Sequence, residues 1–221
     1  MLRGQRKGPL VVGVEGNIGA GKSTLLRSLG ERNPDWLVLQ EPVERWAKEL
    51  AETHADPAGK SARLQEHIGH CLLQRARDAA EAVELAPVVL LERSLEASRA
   101  VFTRQAVERG YIGAGDVKRL EELFTGWAGE HHRLLPVHVL VYMVVTPETA
   151  LERVRRRGRP CEQSLDVGFL ANLHRLHEDW LLRGEPERPT APVWRVELSP
   201  DAGFETVCDS VEGLINARLA E

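Results

Sequence analysis

The sequence predicts an α/β protein with a five-stranded parallel sheet flanked by helices on both faces. Three observations carry that reading. Short apolar runs alternate with longer helical patterns along the whole chain, as parallel strands joined by helical crossovers require. The runs at 10–14, 87–91 and 137–145 are almost continuously apolar, as strands covered on both faces must be. The first run passes directly into Gly16-Asn17-Ile18-Gly19-Ala20-Gly21-Lys22-Ser23-Thr24. That is the strand, glycine turn and helix of a phosphate-binding loop, G-x-x-x-x-G-K-[ST].

Each element follows from local sequence. Residues 10–14 form the first strand and 22–32 the first helix. Asn33-Pro34-Asp35 turns the chain into a second strand at 36–40, which ends where Pro42 stops the ladder and leaves Glu41 at the carboxyl edge. Ligands of open parallel sheets collect at that edge, so Glu41 is expected to face the phosphate loop. Residues 44–55 read as helix and Asp56-Pro57-Ala58-Gly59 as a break. Residues 61–85 read as a long helix with Leu64, Ile68, Leu72, Leu73, Ala76, Ala79 and Val83 on its apolar side. The third strand, 87–91, delivers Glu92-Arg93-Ser94 to the same edge. Helices are expected at about 95–109 and 115–130, then a fourth strand at 137–145. Thr146-Pro147-Glu148 opens a helix that ends in Arg153, Arg155, Arg156, Arg157 and Arg159. A helix at about 166–183, a fifth strand at 194–198 and a helix at 203–220 complete one domain over residues 1–221, without repeats or linkers.

Composition narrows the function classes. Hydrophobic residues make up 43% and charged residues 28%, ordinary values for a soluble globular chain. A net charge of −4 supplies no basic surface, so no nucleic-acid partner is expected. Cys71, Cys161 and Cys208 are scattered and odd in number. They suit a reducing compartment better than a disulfide framework or a zinc site. The longest apolar run, 134–147, is too short to span a bilayer, and Arg3, Arg6 and Lys7 precede no hydrophobic signal core. The expectation is an intracellular, cytoplasmic protein without a membrane partner.

The loop at 16–24 is suited to phosphate. Gly16, Gly19 and Gly21 let the backbone of Asn17, Ile18 and Ala20 curl so that N–H groups face an anion. The helix beginning near Lys22 adds the positive end of its dipole. Lys22 would reach the β- and γ-phosphates, and the Ser23 hydroxyl, followed by Thr24, would ligate Mg²⁺. The chain therefore reads as binding a nucleoside triphosphate. Phosphoryl transfer also needs an oriented acceptor and cations over the group in flight. Glu41 offers a carboxylate at the right edge, with a solvated strand-end glutamate as the alternative. Glu92 and Arg93 are either a local salt bridge or, respectively, an organiser of Mg²⁺ and a guanidinium holding Glu41. Five arginines in the seven residues 153–159 repel one another unless an anion sits among them. They read as a lid over phosphates at about 153–165, with a solvated helix face as the alternative. Arginine suits a lid because its planar fork donates two parallel hydrogen bonds.

Five pieces now stand in series: G-N-I-G-A-G-K-S-T at 16–24, E-P-V-E-R-W at 41–46, L-Q at 64–65, E-R-S-x-x-x-S-R-x-x-F at 92–102, and the arginine-rich segment at 152–162, followed by L-H-R-L-H-E-D-W-L at 173–181. Over nearly the whole chain this series resembles the deoxynucleoside kinase family, which includes deoxycytidine, deoxyguanosine and mitochondrial thymidine kinases and a broad-range insect enzyme. The resemblance implies a P-loop kinase fold, a homodimer, and ATP with Mg²⁺ as phosphate donor. The acceptor it implies is the 5′-hydroxyl of a deoxynucleoside in nucleotide salvage. It makes Glu41 the general base, sets Arg93 near the 5′-oxygen, and brings Arg157 and Arg159 closest to the phosphates. Glu162 falls on the sugar 3′-hydroxyl, with His54 where the family has a tyrosine. Trp46, Gln65, Ile68 and Phe102 fall around the base. A carboxamide offers one acceptor and one donor, so Gln65 can pair with cytosine or thymine by flipping, while Trp46 and Phe102 offer stacking faces. Leu64 replaces a family aromatic. Purine-using relatives carry arginine and aspartate where this chain has Leu72 and Ser98, and thymidine-using relatives carry small or apolar residues. The acceptor expected is thymidine or deoxycytidine.

Three rivals share parts of this pattern. A nucleoside monophosphate kinase of the thymidylate kinase type shares loop, lid and sheet, but Glu41 would face the acceptor's own phosphate. A regulatory GTPase would carry an N-K-x-D guanine reader, and the sequence has none. A non-catalytic ATP-binding module would fail a single-turnover assay.

Overall fold

The computed structural model describes residues 8–198 and 203–220, so Arg3, Arg6 and Lys7 lie outside the described residues. Strands β1 (Leu10–Gly16), β2 (Leu37–Leu39), β3 (Val88–Glu92), β4 (Val139–Val144) and β5 (Val193–Glu197) form one parallel sheet in the order β2-β3-β1-β4-β5. This bears out the expected fold class. β1 is central, with Val12 opposite Leu90 on one side and Val139 on the other. The chain first builds the sheet to one side of β1 and then, with β4, crosses to the other. The carboxyl end of β1 is thus the topological switch point, where such sheets bind ligands.

The core explains why the strands are so apolar. Leu10, Val12 and Val14 join Val88 and Leu90 in one cluster with Leu25, Leu26 and Leu29 of α1 (Lys22–Arg32). Helices α8 (Pro147–Arg157), α9 (Val167–Glu178) and α10 (Phe204–Leu219) contribute to the same cluster. Val11, Val89 and Leu91 alternate with those residues and pack on Ala76, Val83 and Leu135. A separate cluster of Trp46, Leu64, Ile68, Leu72, Leu120 and Phe124 seats α3 (Pro57–Asp78) on α7 (Ala114–Leu134). That platform stands beside the carboxyl edge of the sheet and forms a wall of the cleft described below.

Several boundaries differ from the sequence reading. Residues 56–59 do not break the chain: the Asp56 carboxylate accepts from the Gly59 N–H (3.1 Å) and Pro57 opens α3. They are an N-cap and first turn. The long helix divides at Ala79 into α3 and α4 (Ala80–Leu85). The 44–55 stretch is a 3₁₀ turn, Val43–Arg45, followed by α2 (Ala47–Ala55). The helix expected at 95–109 is α5 (Leu95–Ala97), a π-helical stretch Ser98–Thr103, and α6 (Arg104–Glu108). A π turn also follows α9, at Asp179–Arg183. Among the described residues no helix is long and apolar enough to cross a membrane. The three cysteines are buried and free.

Candidate active site

A cleft of about 1110 Å³ runs along the carboxyl edge and is lined by the phosphate loop, both strand ends, α3 and the arginine-rich segment. The loop is held on three sides. A side chain at Gly16 (φ +140°) would place its Cβ 2.5 Å from the Met143 carbonyl, and one at Gly19 (φ +80°) 2.4 Å from that of Ala150. Only glycine permits that approach to β4 and α8. Asn17 donates to the Leu170 carbonyl at 2.8 Å, and its Oδ1 accepts from the Ile18 N–H at 2.9 Å. Lys22 donates to the Gly16 and Asn17 carbonyls at 2.8 and 3.0 Å. Ala20 is buried and its carbonyl accepts from Arg153 (3.2 Å), while Ile18, Gly21, Ser23 and Thr24 line the cleft.

At the ends of β2 and β3, Arg93 Nη1 donates to Glu41 Oε1 at 2.5 Å, and both side chains are largely buried. Glu92 Oε1 accepts from the Ser23 hydroxyl (2.7 Å), and its Oε2 accepts from the Glu41 N–H (3.2 Å). Ser23 and Glu92, expected to serve a metal, therefore stand side by side. Burial alone would push the Glu41 carboxyl up, but Arg93, Lys22 and Arg75 outweigh it and hold Glu41 below the ordinary carboxylate range. Arg93 has φ 61°, the one positive φ at a non-glycine among the described residues. Its Nε and Nη2 have no hydrogen-bond partner. The Phe102 ring lies 3.7 Å beneath its Cζ. Phe102, expected to stack a base, thus gives one face to the arginine.

Gln65, Trp46 and Ile68 line the same cleft. Gln65 Oε1 accepts from the Thr103 hydroxyl at 3.5 Å. Leu72 and Ser98 are not on the cleft wall; both are wholly buried. On the opposite side Glu162 accepts from Arg157 at 2.6 Å and from Arg159 at 3.3 Å. The anion beside Arg157 and Arg159 is therefore this glutamate, which offsets the repulsion expected between those two. His54 Nδ1 lies 2.9 Å from the Ser164 hydroxyl. Burial lowers the His54 pKa, with Glu162 opposing, so the ring is neutral at pH 7.

Three residues at the site escaped the sequence reading. Arg75, on α3, donates to the Gln40, Glu92 and Arg93 carbonyls at 3.0, 2.7 and 2.8 Å. Glu15, at the end of β1, accepts from the Ser94 N–H at 2.8 Å. Gln105 lines the cleft with a buried Nε2 that has no partner. For Arg75 a signal existed, because a charge on the apolar stripe through Leu64, Ile68 and Leu72 needs internal partners. Glu15 interrupts an apolar strand in the same way. Gln105 follows the π turn, which no sequence pattern announces.

A family model for deoxynucleoside kinase matches residues 12–216 of the chain. The chain is 28% identical over 195 residues to deoxycytidine kinase 2 of Gallus gallus, covering 77% of this chain and 73% of that protein. It is 30% identical over 192 residues to the mitochondrial thymidine kinase 2 of Homo sapiens, covering 85% and 70%. Human deoxycytidine kinase is 28% identical over 196 residues, covering 77% and 75%.

Proposed function

The chain belongs to the deoxynucleoside kinase family and is a phosphotransferase, and on that premise we propose that it moves the γ-phosphoryl group of ATP to the 5′-hydroxyl of thymidine or deoxycytidine. The observation that carries this reading is the Glu41–Arg93 pair at 2.5 Å, in one cleft with the phosphate loop and Gln65. Glu41, held ionised, accepts a hydrogen bond from the 5′-hydroxyl and aims its oxygen along the line of transfer. A loose transition state asks for little proton movement before the phosphoryl group departs, so a weakly basic carboxylate suffices for orientation and takes the proton as the bond forms. Arg93 fixes the carboxylate and turns its two unpartnered donors toward the charge that develops nearby. Lys22, Arg157 and Arg159 neutralise phosphate oxygens. Engagement of the two arginines exchanges Glu162 for phosphate, which frees Glu162 to accept from the sugar 3′-hydroxyl beside His54.

The Ser23 hydroxyl and Glu92 carboxylate are hard oxygen donors of the kind Mg²⁺ takes alongside substrate phosphates, so the residues present fit that ion. An ion held by Ser23 and Glu92 would supply positive charge to offset that of the phosphates. Pyrimidine use is supported by Gln65. The Thr103 hydroxyl can donate to its oxygen or accept from its nitrogen, so either flip of the amide is held. Uncharged Leu72 and Ser98 behind the wall place no ion pair by the base. Glu41 tells against the thymidylate kinase type, whose acceptor would bring a second anion beside it. The family model spans residues 12–216, which supports one domain; the homodimer is what the family resemblance implies, and sedimentation equilibrium would test it.

Glu41→Gln and Lys22→Ala test the assignment together. Glu41→Gln should leave thymidine binding within a few fold and lower kcat by at least about 100-fold, the scale of losing a preorganised catalytic group. Lys22→Ala should lower kcat comparably. Near-normal turnover by Glu41→Gln at neutral pH would remove Glu41 as the base.

A further inference from the structure

The helix that presents Gln65 to the cleft also carries Arg75, which lies behind the catalytic pair and touches no part of the cleft wall. One buried guanidinium there joins two strand ends. Its Nη1 donates to Leu39 (3.4 Å), Gln40 (3.0 Å) and Glu92 (2.7 Å) carbonyls, and its Nη2 to the Arg93 carbonyl (2.8 Å). Gln40 immediately precedes Glu41, so these bonds span from the base's own strand to the arginine that grips it. The Arg93 backbone is fixed from its other sides as well. Its N–H donates to the Val14 carbonyl (3.2 Å), and the next N–H, that of Ser94, donates to Glu15 (2.8 Å). A left-handed conformation at an arginine is unfavourable and persists only where the surroundings over-determine it. Here carbonyl, N–H and following N–H are all held.

We propose that Arg75 is the positioning residue of the Glu41–Arg93 pair, tying the ends of β2 and β3 so that carboxylate and guanidinium meet. The proposal rests on the reading of Glu41 as the base. A fork geometry is what the task needs: one planar group reaches carbonyls on two strands at once, which a point-like ammonium cannot do. The loss of that geometry would let Glu41 drift from Arg93 and leave the carboxylate misaligned with the acceptor hydroxyl. Glu41 is otherwise faced by Lys22 from α1 and by Glu92 and Arg93 at the end of β3, with Arg153, Arg157 and Arg159 lining the same cleft.

The test compares Arg75→Lys, which keeps the charge, with Arg75→Met, measuring kcat, nucleoside KM and thermal melting. Arg75→Lys is expected to lose at least about tenfold in kcat with KM changed less than about threefold, the pattern of an interaction needed only in the transition state. Arg75→Met, if folded, should lose more. Wild-type kcat in Arg75→Lys would overturn the proposal, and so would a loss of kcat that follows the folded fraction or that comes with an equal rise in KM. Glu41→Gln in the same series separates the two claims. If it turns over normally the base reading falls and this proposal with it; if it is inactive while Arg75→Lys behaves as wild type, only the positioning role falls.

Discussion

Glu15 makes the stability of this protein depend on pH in a direction opposite to that of most carboxylates. It is wholly buried at the end of β1, and burial pushes its carboxyl from 4.5 up to about 7, against the Ser94 hydrogen bonds and the charges of Lys22 and Arg93. A folded pKa above the unfolded one means the native state binds the proton more tightly. The contribution is therefore fully present below 4.5 and is lost as pH rises through about 7. The step from 4.5 to about 7 corresponds to about 3 kcal/mol, a large share of the roughly 5–15 kcal/mol that holds a typical domain folded. Glu15→Gln keeps an acceptor for the Ser94 N–H and cannot titrate. Urea unfolding of both proteins at pH 4.5 and 7.5 isolates the effect, because the other carboxylates cancel in the difference. Relative to the variant, the wild type should lose about 3 kcal/mol between the two pH values. Parallel stability curves would show that Glu15 is ionised in the folded protein and refute the reasoning.

Two further outcomes follow from the cleft. Gln105→Met removes an amide whose nitrogen bonds to nothing in the protein, so melting should be unchanged or higher, while thymidine KM should rise about tenfold if the amide serves the substrate. A lower melting temperature with unchanged KM would assign the amide to the fold instead. Glu162→Gln takes the carboxylate from Arg157 and Arg159, so hydrogen exchange over 153–162 should accelerate and then slow on adding a bisubstrate mimic; equal exchange with and without the mimic would count against a lid.

What was legible in the sequence lies where chain direction alone fixes position. A residue at the carboxyl end of a parallel strand can face only the ligand edge, so Glu41, Glu92 and Arg93 were placed by strand assignment, and the loop at 16–24 by its glycines. Residues whose roles depend on helix register were harder. Arg75 reads as one more basic residue in a long helix until the fold shows the two strand ends beneath it. The motif that points to Phe102 ends there, and Gln105 lies beyond it, just past the π stretch Ser98–Thr103 that no sequence pattern announces. The arginine cluster reads as a patch in need of an anion, but Glu162, three residues past Arg159, reads only as a sugar ligand by resemblance. Leu72 and Ser98 were expected near the base, whereas the packing of α3 on α7 sets Leu72 within the core.

The most direct test of the central claim is a steady-state panel of thymidine, deoxycytidine, deoxyadenosine and deoxyguanosine with ATP and Mg²⁺, comparing kcat/KM. A site whose amide pairs with a pyrimidine edge rejects partners that leave it unpaired. Thymidine and deoxycytidine should therefore both exceed deoxyguanosine by at least about tenfold. A preference for deoxyguanosine or deoxyadenosine would contradict the pyrimidine pocket, and the absence of turnover with all four would contradict the kinase mechanism built on Glu41.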